Sequence, residues 1–239
     1  MSAYLSSKRL SGATPLDRRA QVALSEVFPT TVTDASATGF VLSRLRGGGP
    51  VLWVQDRLSR KEAGVPYLPG LRDLRGLPDP PGLQGLPKQQ PVIQVNLSGA
   101  ADVLWAMEEG LGCKTLCAVI GEIWGTPPAL SFTATKRLAL RAETAGVACW
   151  LIRRAAEPGL SAARERWRVG SLPAAAHPDD AQAPGTPRWQ AELFKSRSRK
   201  PGIWVIGDDG SADPLPVAAP FRDGTLAETR DAERRRAQR

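Results

Sequence analysis

The sequence is poor in the residue types that carry most metal, redox and nucleophilic chemistry. Of its 239 residues, three are cysteine and one is histidine. Cys113, Cys117 and Cys149 contain no Cys-x-x-Cys pair, and their odd number argues against a disulfide framework and against a zinc site. The single histidine, His177, lies in a loop rich in proline and alanine, so no Ser–His–Asp or Cys–His arrangement can be built around it. We therefore expect no catalytic residue, no metal ligand and no cofactor.

Long hydrophobic runs are also missing. No segment approaches the roughly 18 apolar residues that a membrane-spanning helix requires. The first twenty residues, MSAYLSSKRLSGATPLDRRA, lack the continuous apolar stretch of a secretory signal. These absences predict a cytoplasmic protein that makes no contact with a membrane.

Charge, in contrast, is abundant and unbalanced. Lysine and arginine total 32 against 24 aspartate and glutamate residues, which gives a formal net charge of +8. Such an excess favours an anionic partner, and nucleic acid is the commonest of these. The alternative is that the basic surface serves solubility alone.

The apolar pattern predicts an α/β fold. Apolar strand patterns alternate with helical patterns up to residue 154, and this alternation is typical of βαβ crossovers in a mostly parallel sheet flanked by helices. After residue 160 three further apolar or alternating runs follow without helices between them. They predict antiparallel C-terminal strands that extend the sheet. The expected strands before that point are 23–28, 50–56, 91–97, 115–124 and 147–154, the second and third of them buried on both faces.

Composition predicts three regions along the chain. Residues 1–20 are polar and basic and should form a flexible N-terminal arm, whereas residues 21–210 should form the core domain. Residues 57–91 are an insert within that core, and its many proline and glycine residues argue against regular structure through most of it. Residues 211–239 should form a flexible, charged C-terminal tail.

One short motif suggests nucleotide binding, but its context is wrong. Residues 112–115, Gly-Cys-Lys-Thr, resemble the end of a phosphate-binding loop. Such a loop must follow a strand and open a helix, because backbone N–H groups at the helix start hold the phosphates. These four residues follow a predicted helix and precede a predicted strand. We interpret them as a turn.

The position where a phosphate-binding loop is expected contains no lysine. It reads PTTVTDASATG over residues 29–39, so no ammonium group is present to contact the β- and γ-phosphates. Thr38 and Gly39 are either a remnant of the loop–helix junction or simply the start of a helix. Glu122 stands where a Walker-B carboxylate would hold Mg²⁺, although a polar residue of an empty cleft or a partner contact is the favoured interpretation. Together these residues predict a degenerate nucleotide site.

A series of segments in fixed order resembles the ImuA family of bacteria. The most specific are LWAMEEGL followed by VIGEIW, and ARERWRV followed by PRWQAEL, within a similarity that covers about residues 23–208. The resemblance implies a RecA-like fold, usually with a degraded nucleotide site, and a role in translesion DNA synthesis during the SOS response to DNA damage. It also implies ImuB, an error-prone DnaE-type polymerase and RecA itself as partners. It identifies no catalytic residue.

If no chemistry is performed, function must lie in contact surfaces. Basic side chains predict three such surfaces: a hairpin tip, an arginine cluster around the end of the expected strand 147–154, and the tail. The alternative for each is a solvent-exposed basic face that binds no partner. We also expect Trp105 to fill the core and Trp189 to be partly exposed. The basic candidates are Lys195, Arg197, Arg199 and Lys200 at the tip, Arg153, Arg154, Arg164, Arg166 and Arg168 in the cluster, and Arg234, Arg235 and Arg236 in the tail.

Three functional hypotheses remain open from the sequence. The leading one is a non-catalytic, RecA-like accessory or adaptor protein of error-prone translesion synthesis. The second is a DNA-binding module that acts through the basic hairpin and the arginine cluster, with any DNA contact of the adaptor itself weak or indirect. The third, a residual ATPase, is the least favoured. The sequence does not specify the oligomeric state.

Overall fold

The described part of the chain forms an eight-stranded sheet with helices on both faces. The computed structural model describes residues 22–45, 49–67, 91–177, 179–180, 182–185 and 187–207. Its strands are β1 (Leu24–Pro29), β2 (Val51–Gln55), β3 (Val92–Asn96), β4 (Ala118–Trp124), β5 (Ala148–Arg154), β6 (Glu165–Leu172), β7 (Arg188–Ser196) and β8 (Gly202–Gly207). Its helices are α1 (Ser36–Arg44), α2 (Arg57–Ala63), α3 (Ala100–Gly110) and α4 (Phe132–Ala145).

The strand order is β3-β2-β4-β5-β1-β6-β7-β8. The first six of these positions pair in parallel, while β7 pairs antiparallel with both β6 and β8. This arrangement confirms the predicted fold class. The predicted arm at 1–20 and the tail at 211–239 lie outside the described residues, as does 68–90 of the insert.

Two apolar cores lie on opposite faces of the sheet because side chains alternate along each strand. Helix α1 covers one face, where Phe40, Trp53 and Trp167 are buried. Helices α3 and α4 cover the other, which contains Met107 and Leu138. Burial of each such side chain contributes about 1.5–3 kcal/mol, so the two cores supply most of the stabilising free energy.

Local signals explain where α4 begins and ends. The Ser131 hydroxyl accepts a hydrogen bond from the Ala134 N–H and so caps the first turn. Gly146 follows the last turn with φ 72°, a left-handed conformation that glycine adopts without steric cost. From the sequence, either Ser131 or Thr133 could cap this helix and Gly146 was expected to end it; the structure has Ser131 as the cap and Gly146 at the end. No helix of the described residues is sufficiently long and apolar to span a membrane.

Helix α2 occupies the first seven residues of the insert, most of which was expected to be irregular, and it begins where the Asp56 carboxylate accepts the Ser59 N–H at 2.6 Å. Three local predictions, for β3, Trp105 and Trp189, were wrong. Strand β3 was expected to be buried, but it pairs only with β2 among the described strands, and Ile93 is 49% exposed. Trp105 was placed in the core and is 66% exposed, whereas Trp189 was expected to be partly exposed and is buried.

Candidate functional site

The loop between β1 and α1 occupies the position of the expected phosphate-binding loop. The N-terminus of a helix attracts anions through its unpaired N–H groups and its dipole. Here the Asp34 carboxylate accepts the N–H of Ser36 at 2.7 Å. It also accepts hydrogen bonds from the Ser171 N–H at 2.9 Å and the Ser171 hydroxyl at 2.6 Å. The chain therefore places one of its own carboxylates at the start of α1.

Hydrogen bonding keeps Asp34 charged. Partial burial would by itself raise the pKa of this carboxyl, but the hydrogen bonds from Ser171 and Ser36 outweigh that effect and hold the pKa below its usual value. Asp34 is therefore ionised at neutral pH. A negative charge at this point opposes the approach of a triphosphate, which is itself an anion.

Glu122 at the end of β4 is fully engaged by protein donors. Its side chain is buried, and Oε1 accepts the Nε–H of Arg154 in a close ion pair. Oε2 accepts the Gln55 Nε2–H at 2.7 Å and the Trp53 indole N–H at 3.3 Å. The sequence places Glu122 at a Walker-B position but favours a polar residue of an empty cleft or a partner contact over a metal ligand, and in the structure both its oxygens bond to neighbouring side chains. Among the described residues no three His, Cys, Asp or Glu side chains group as a metal site.

Arg154 also closes the loop onto the sheet. Its Nη1 donates to the carbonyl oxygens of Val32 and Asp34 at 2.9 and 3.1 Å. A cation is thus present beside the loop, but its hydrogen bonds end on Glu122 and on backbone carbonyls. We refer to Trp53, Gln55, Glu122 and Arg154 as the Arg154–Glu122 cluster.

Gly39 has a packing role in this structure. A Cβ built on it would lie 2.8 Å from Cζ2 of Trp189, so a larger residue would displace the indole from the α1 face. Thr38 is half-buried on the same helix. The presence of glycine here is thus explained without reference to phosphate.

The predicted arginine cluster does not form a surface. Arg153 and Arg154 are buried and paired with Glu26 and Glu122, and this burial argues against the surface contact that the sequence suggested. They are buried because each extends from the end of β5 onto a different face of the sheet. Arg164 is half-buried, and its Nε donates to Glu143 at 2.7 Å. Arg166 is buried against Glu26, whereas Arg168 is exposed and its Nη1 donates to Glu192 at 2.6 Å.

The basic hairpin tip between β7 and β8 is present, and one of its members anchors it. Lys195, Arg197 and Lys200 are exposed. Arg199 instead donates from Nε and Nη2 to Oε1 of the buried Glu165, at 2.9 and 2.5 Å. Three cations are thus directed to solvent from a turn that Arg199 holds in place. Arg234, Arg235 and Arg236 of the tail lie outside the described residues.

Sequence reasoning missed Asp34 and Ser171. The pattern Asp-Ala-Ser at 34–36 is a signal for a helix start, since a short acidic side chain caps exposed N–H groups. Ser171 lies 137 residues away on β6, and only the parallel pairing of β1 with β6 brings it near. No local pattern carries that information.

Comparison with known proteins identifies the relatives of this chain. Two are named Protein ImuA, from two strains of Caulobacter vibrioides, and each is 30% identical over 189 residues, which covers 73% of this chain and 68% of the relative. The chain belongs to the ImuA family. This finding confirms the assignment that the ordered segments suggested. No protein-family model matches the sequence.

Proposed function

We propose that this ImuA family member is a non-catalytic, RecA-like adaptor that helps to recruit or regulate an error-prone polymerase complex in translesion DNA synthesis. Membership of the family associates the chain with DNA-damage mutagenesis. The observation that carries the non-catalytic part of the proposal is the Arg154–Glu122 cluster. In this cluster a buried cation and a buried carboxylate pair with each other.

The charges around the loop are arranged against nucleotide binding. Phosphoryl transfer requires a lysine on the β- and γ-phosphates and a carboxylate with free oxygens for Mg²⁺. Here the loop has no lysine, Asp34 provides a negative charge, and Glu122 has no free oxygen. Pulling Arg154 away to meet a phosphate would leave Glu122 buried and uncompensated, at a cost of about 3–5 kcal/mol.

An adaptor requires a surface that recognises its partners, and α3 offers an aromatic anchor. Trp105 is 66% exposed although its neighbours Leu104 and Met107 are buried. Exposed tryptophan side chains are enriched among the residues that dominate binding energy at interfaces. We propose that this face of α3 contacts ImuB or the DnaE-type polymerase, with RecA as a further candidate partner.

Nucleotide binding tests the non-catalytic part. Equilibrium titration of the full chain with labelled ATP, with and without Mg²⁺, should give no saturable binding at micromolar concentrations. A Kd in the low micromolar range would overturn the proposal, because the cluster would then have to open at little cost.

Co-purification tests the adaptor part. The full chain should retain ImuB or the polymerase, and Trp105→Ala should weaken that retention by about thirtyfold, since truncation of an interface hot spot costs about 2 kcal/mol or more. Leu140→Ala is a matched control, because Leu140 is 54% exposed on the neighbouring helix α4. Retention of neither partner, or equal loss in both variants, would contradict this assignment.

DNA binding through the hairpin tip is the second candidate function, and the outward direction of Lys195, Arg197 and Lys200 favours it. Each phosphate contact steepens the dependence of log K on log salt by about 0.7–0.9. Replacing the three tip residues by glutamine should flatten that slope. The control replaces three exposed lysines elsewhere, Lys61, Lys114 and Lys136, and removes the same charge. An equal change in slope for both triple variants would exclude the tip as a specific site.

A further inference from the structure

Two buried arginines share one carboxylate on the α3–α4 face of the sheet. Arg166 Nε donates to Glu26 Oε2 at 2.7 Å, and Arg153 Nη1 lies 3.8 Å from Glu26 Oε1. The same Oε1 accepts the Ser161 hydroxyl at 2.8 Å. Strand pairing explains the meeting: Glu26 on β1 is directly opposite Arg166 on β6, and β5 flanks β1 on its other side.

This group has more positive than negative charges, and more hydrogen-bond donors than acceptors. Two guanidinium groups face one carboxylate, and all three residues are at least nine-tenths buried. Arg153 Nε and Arg166 Nη2 are buried donors with no acceptor among the described residues. Burial lowers the pKa of Arg153, an effect that Glu26 opposes and Arg166 reinforces. Buried unpaired donors of a charged group are costly, so this arrangement favours an additional anion.

Aromatic rings fix the direction of the two guanidinium groups. The Phe28 ring lies 5.6 Å from the Arg153 guanidinium carbon and 5.3 Å from that of Arg166. Phe194 contacts Arg166 from another side at 5.4 Å. Such contacts hold a planar cation in one orientation, and a preoriented pair of arginines suits the oxygens of a phosphate group.

The segment that covers this group has the features of a movable cover. Residues 155–163 cross over β1 to join the parallel strands β5 and β6 without a helix. The segment begins at Ala155, which has φ 48°, a strained conformation for a residue with a Cβ. Only its first part, residues 155–160, is exposed or half-buried; Leu160 is 77% exposed, and Arg166 Nη1 donates to the Gly159 carbonyl at 2.9 Å. Ser161, Ala162 and Ala163 are buried, and the Ser161 hydroxyl on Glu26 and the Ala162 N–H on the Thr135 hydroxyl fix that end of the segment.

We propose that Arg153 and Arg166 form a phosphate-binding site that becomes accessible when residues 155–160 move away from β1, while Ser161–Ala163 remain packed in the core. The ligand is a phosphate group, carried either by free inorganic phosphate or by the backbone of nucleic acid. The site lies on the opposite face of the sheet from the Arg154–Glu122 cluster, and it is independent of the adaptor proposal. In the proposed open arrangement Arg153 contacts a phosphate group, which its burial in the closed arrangement prevents.

Two variants with opposite expected effects test the site. The full chain is titrated calorimetrically with inorganic phosphate and, separately, with a single-stranded oligonucleotide. Arg166→Gln should weaken binding by about tenfold or more, since a hydrogen bond to a charged group is worth about 1.5–3 kcal/mol. Ser161→Ala should strengthen binding about fivefold, because it removes one hydrogen bond that keeps the segment closed while retaining every charge. Amide exchange over residues 155–160 should be faster in Ser161→Ala.

Arg137→Gln is the matched control, because it removes one positive charge from the exposed surface of α4. Its effect on affinity should be less than about twofold. Binding of phosphate alone identifies the free ion as ligand, and binding of the oligonucleotide alone identifies the nucleic-acid backbone. If neither probe binds, or if Ser161→Ala leaves affinity unchanged, the proposal is wrong. Ser161→Ala decides the matter even where Arg166→Gln does not fold.

Discussion

Removal of the Arg154 guanidinium tests whether an internal ion pair holds the loop between β1 and α1 against the sheet. In Arg154→Gln the Glu122 carboxylate keeps its hydrogen bonds from Gln55 and Trp53 but loses its cation while remaining buried. Loss of one member of a buried pair destabilises proteins by about 3–5 kcal/mol. For a domain of this size, about 4 kcal/mol corresponds to a decrease in Tm of about 8–16 °C.

The reciprocal change should cost less. In Glu122→Gln, Arg154 retains the carbonyl oxygens of Val32 and Asp34 as acceptors, so the expected loss is about 1–3 kcal/mol. The double variant contains neither of the two buried charges, so no charge is left without its partner. Its destabilisation should therefore be smaller than the sum of the two single effects by about 2 kcal/mol, which is within the range measured for contacting residues.

Denaturant unfolding followed by tryptophan fluorescence measures these free energies, since Trp53 and Trp167 are buried and report on the α1 face. Arg141→Gln is the control, because Arg141 forms a half-exposed pair with Glu108 and should change stability by less than about 1 kcal/mol. The idea that this pair holds the loop between β1 and α1 against the sheet would be refuted by a coupling energy near zero, together with a destabilisation by Arg154→Gln no larger than that of the control.

Three further predictions concern single side chains. The pKa of Asp34 is lower in the folded protein, so its stabilising contribution is present at neutral pH and is lost as pH falls through the folded-state pKa. The difference in unfolding free energy between the native chain and Asp34→Asn should accordingly shrink in acid denaturation series below about pH 4. Trp105→Ala should alter stability by less than about 1 kcal/mol and Trp167→Ala by about 3–5 kcal/mol, as urea unfolding can show. Exposed Cys113 has a pKa lowered by its hydrogen bond with Thr115, so Thr115→Val should slow its alkylation near neutral pH; an unchanged rate would exclude that cause.

The order of strands and helices could be predicted because periodicity is a local property. The runs VLWVQ and AVIGEIW indicated β2 and β4, and Ser131 and Gly146 indicated the limits of α4. Position within the sheet is not local. The apolar run of β3 predicted a strand buried on both faces, but the crossovers place it at an edge. The burial of Trp105 was predicted wrongly for a related reason. Apolar residues of its helix α3 extend beyond the face that the sheet and α4 bury, and Trp105 lies outside that face.

For the candidate site, the sequence provides its position but not its contacts. The stretch 29–39 contains no lysine, and the degenerate nucleotide site that this absence predicts stays a prediction. The side chains that take the place of the lysine could not be predicted in the same way. Arg154 lies 122 residues from Val32 and 32 residues from Glu122, and their meeting depends on the β4–β5 and β1–β5 pairings. Arginines that looked like a surface cluster therefore proved to be internal cations.

Three buried carboxylates follow one structural rule in this chain. Each lies on a central strand and pairs with an arginine that also belongs to, or bonds to, a connecting segment. Arg154 donates to a carbonyl of the loop before α1, and Arg166 donates to a carbonyl of the segment before β6. Arg199 is itself part of the hairpin tip. Buried ion pairs contribute little net stability compared with apolar side chains of the same volume. Their hydrogen bonds are directional, however, and here they fix backbone carbonyls or turns that apolar packing alone would not orient. The carboxylates Glu26, Glu122 and Glu165 thus act by holding surface segments in place, and if the proposed adaptor function is correct, partner recognition depends on the geometry of those segments.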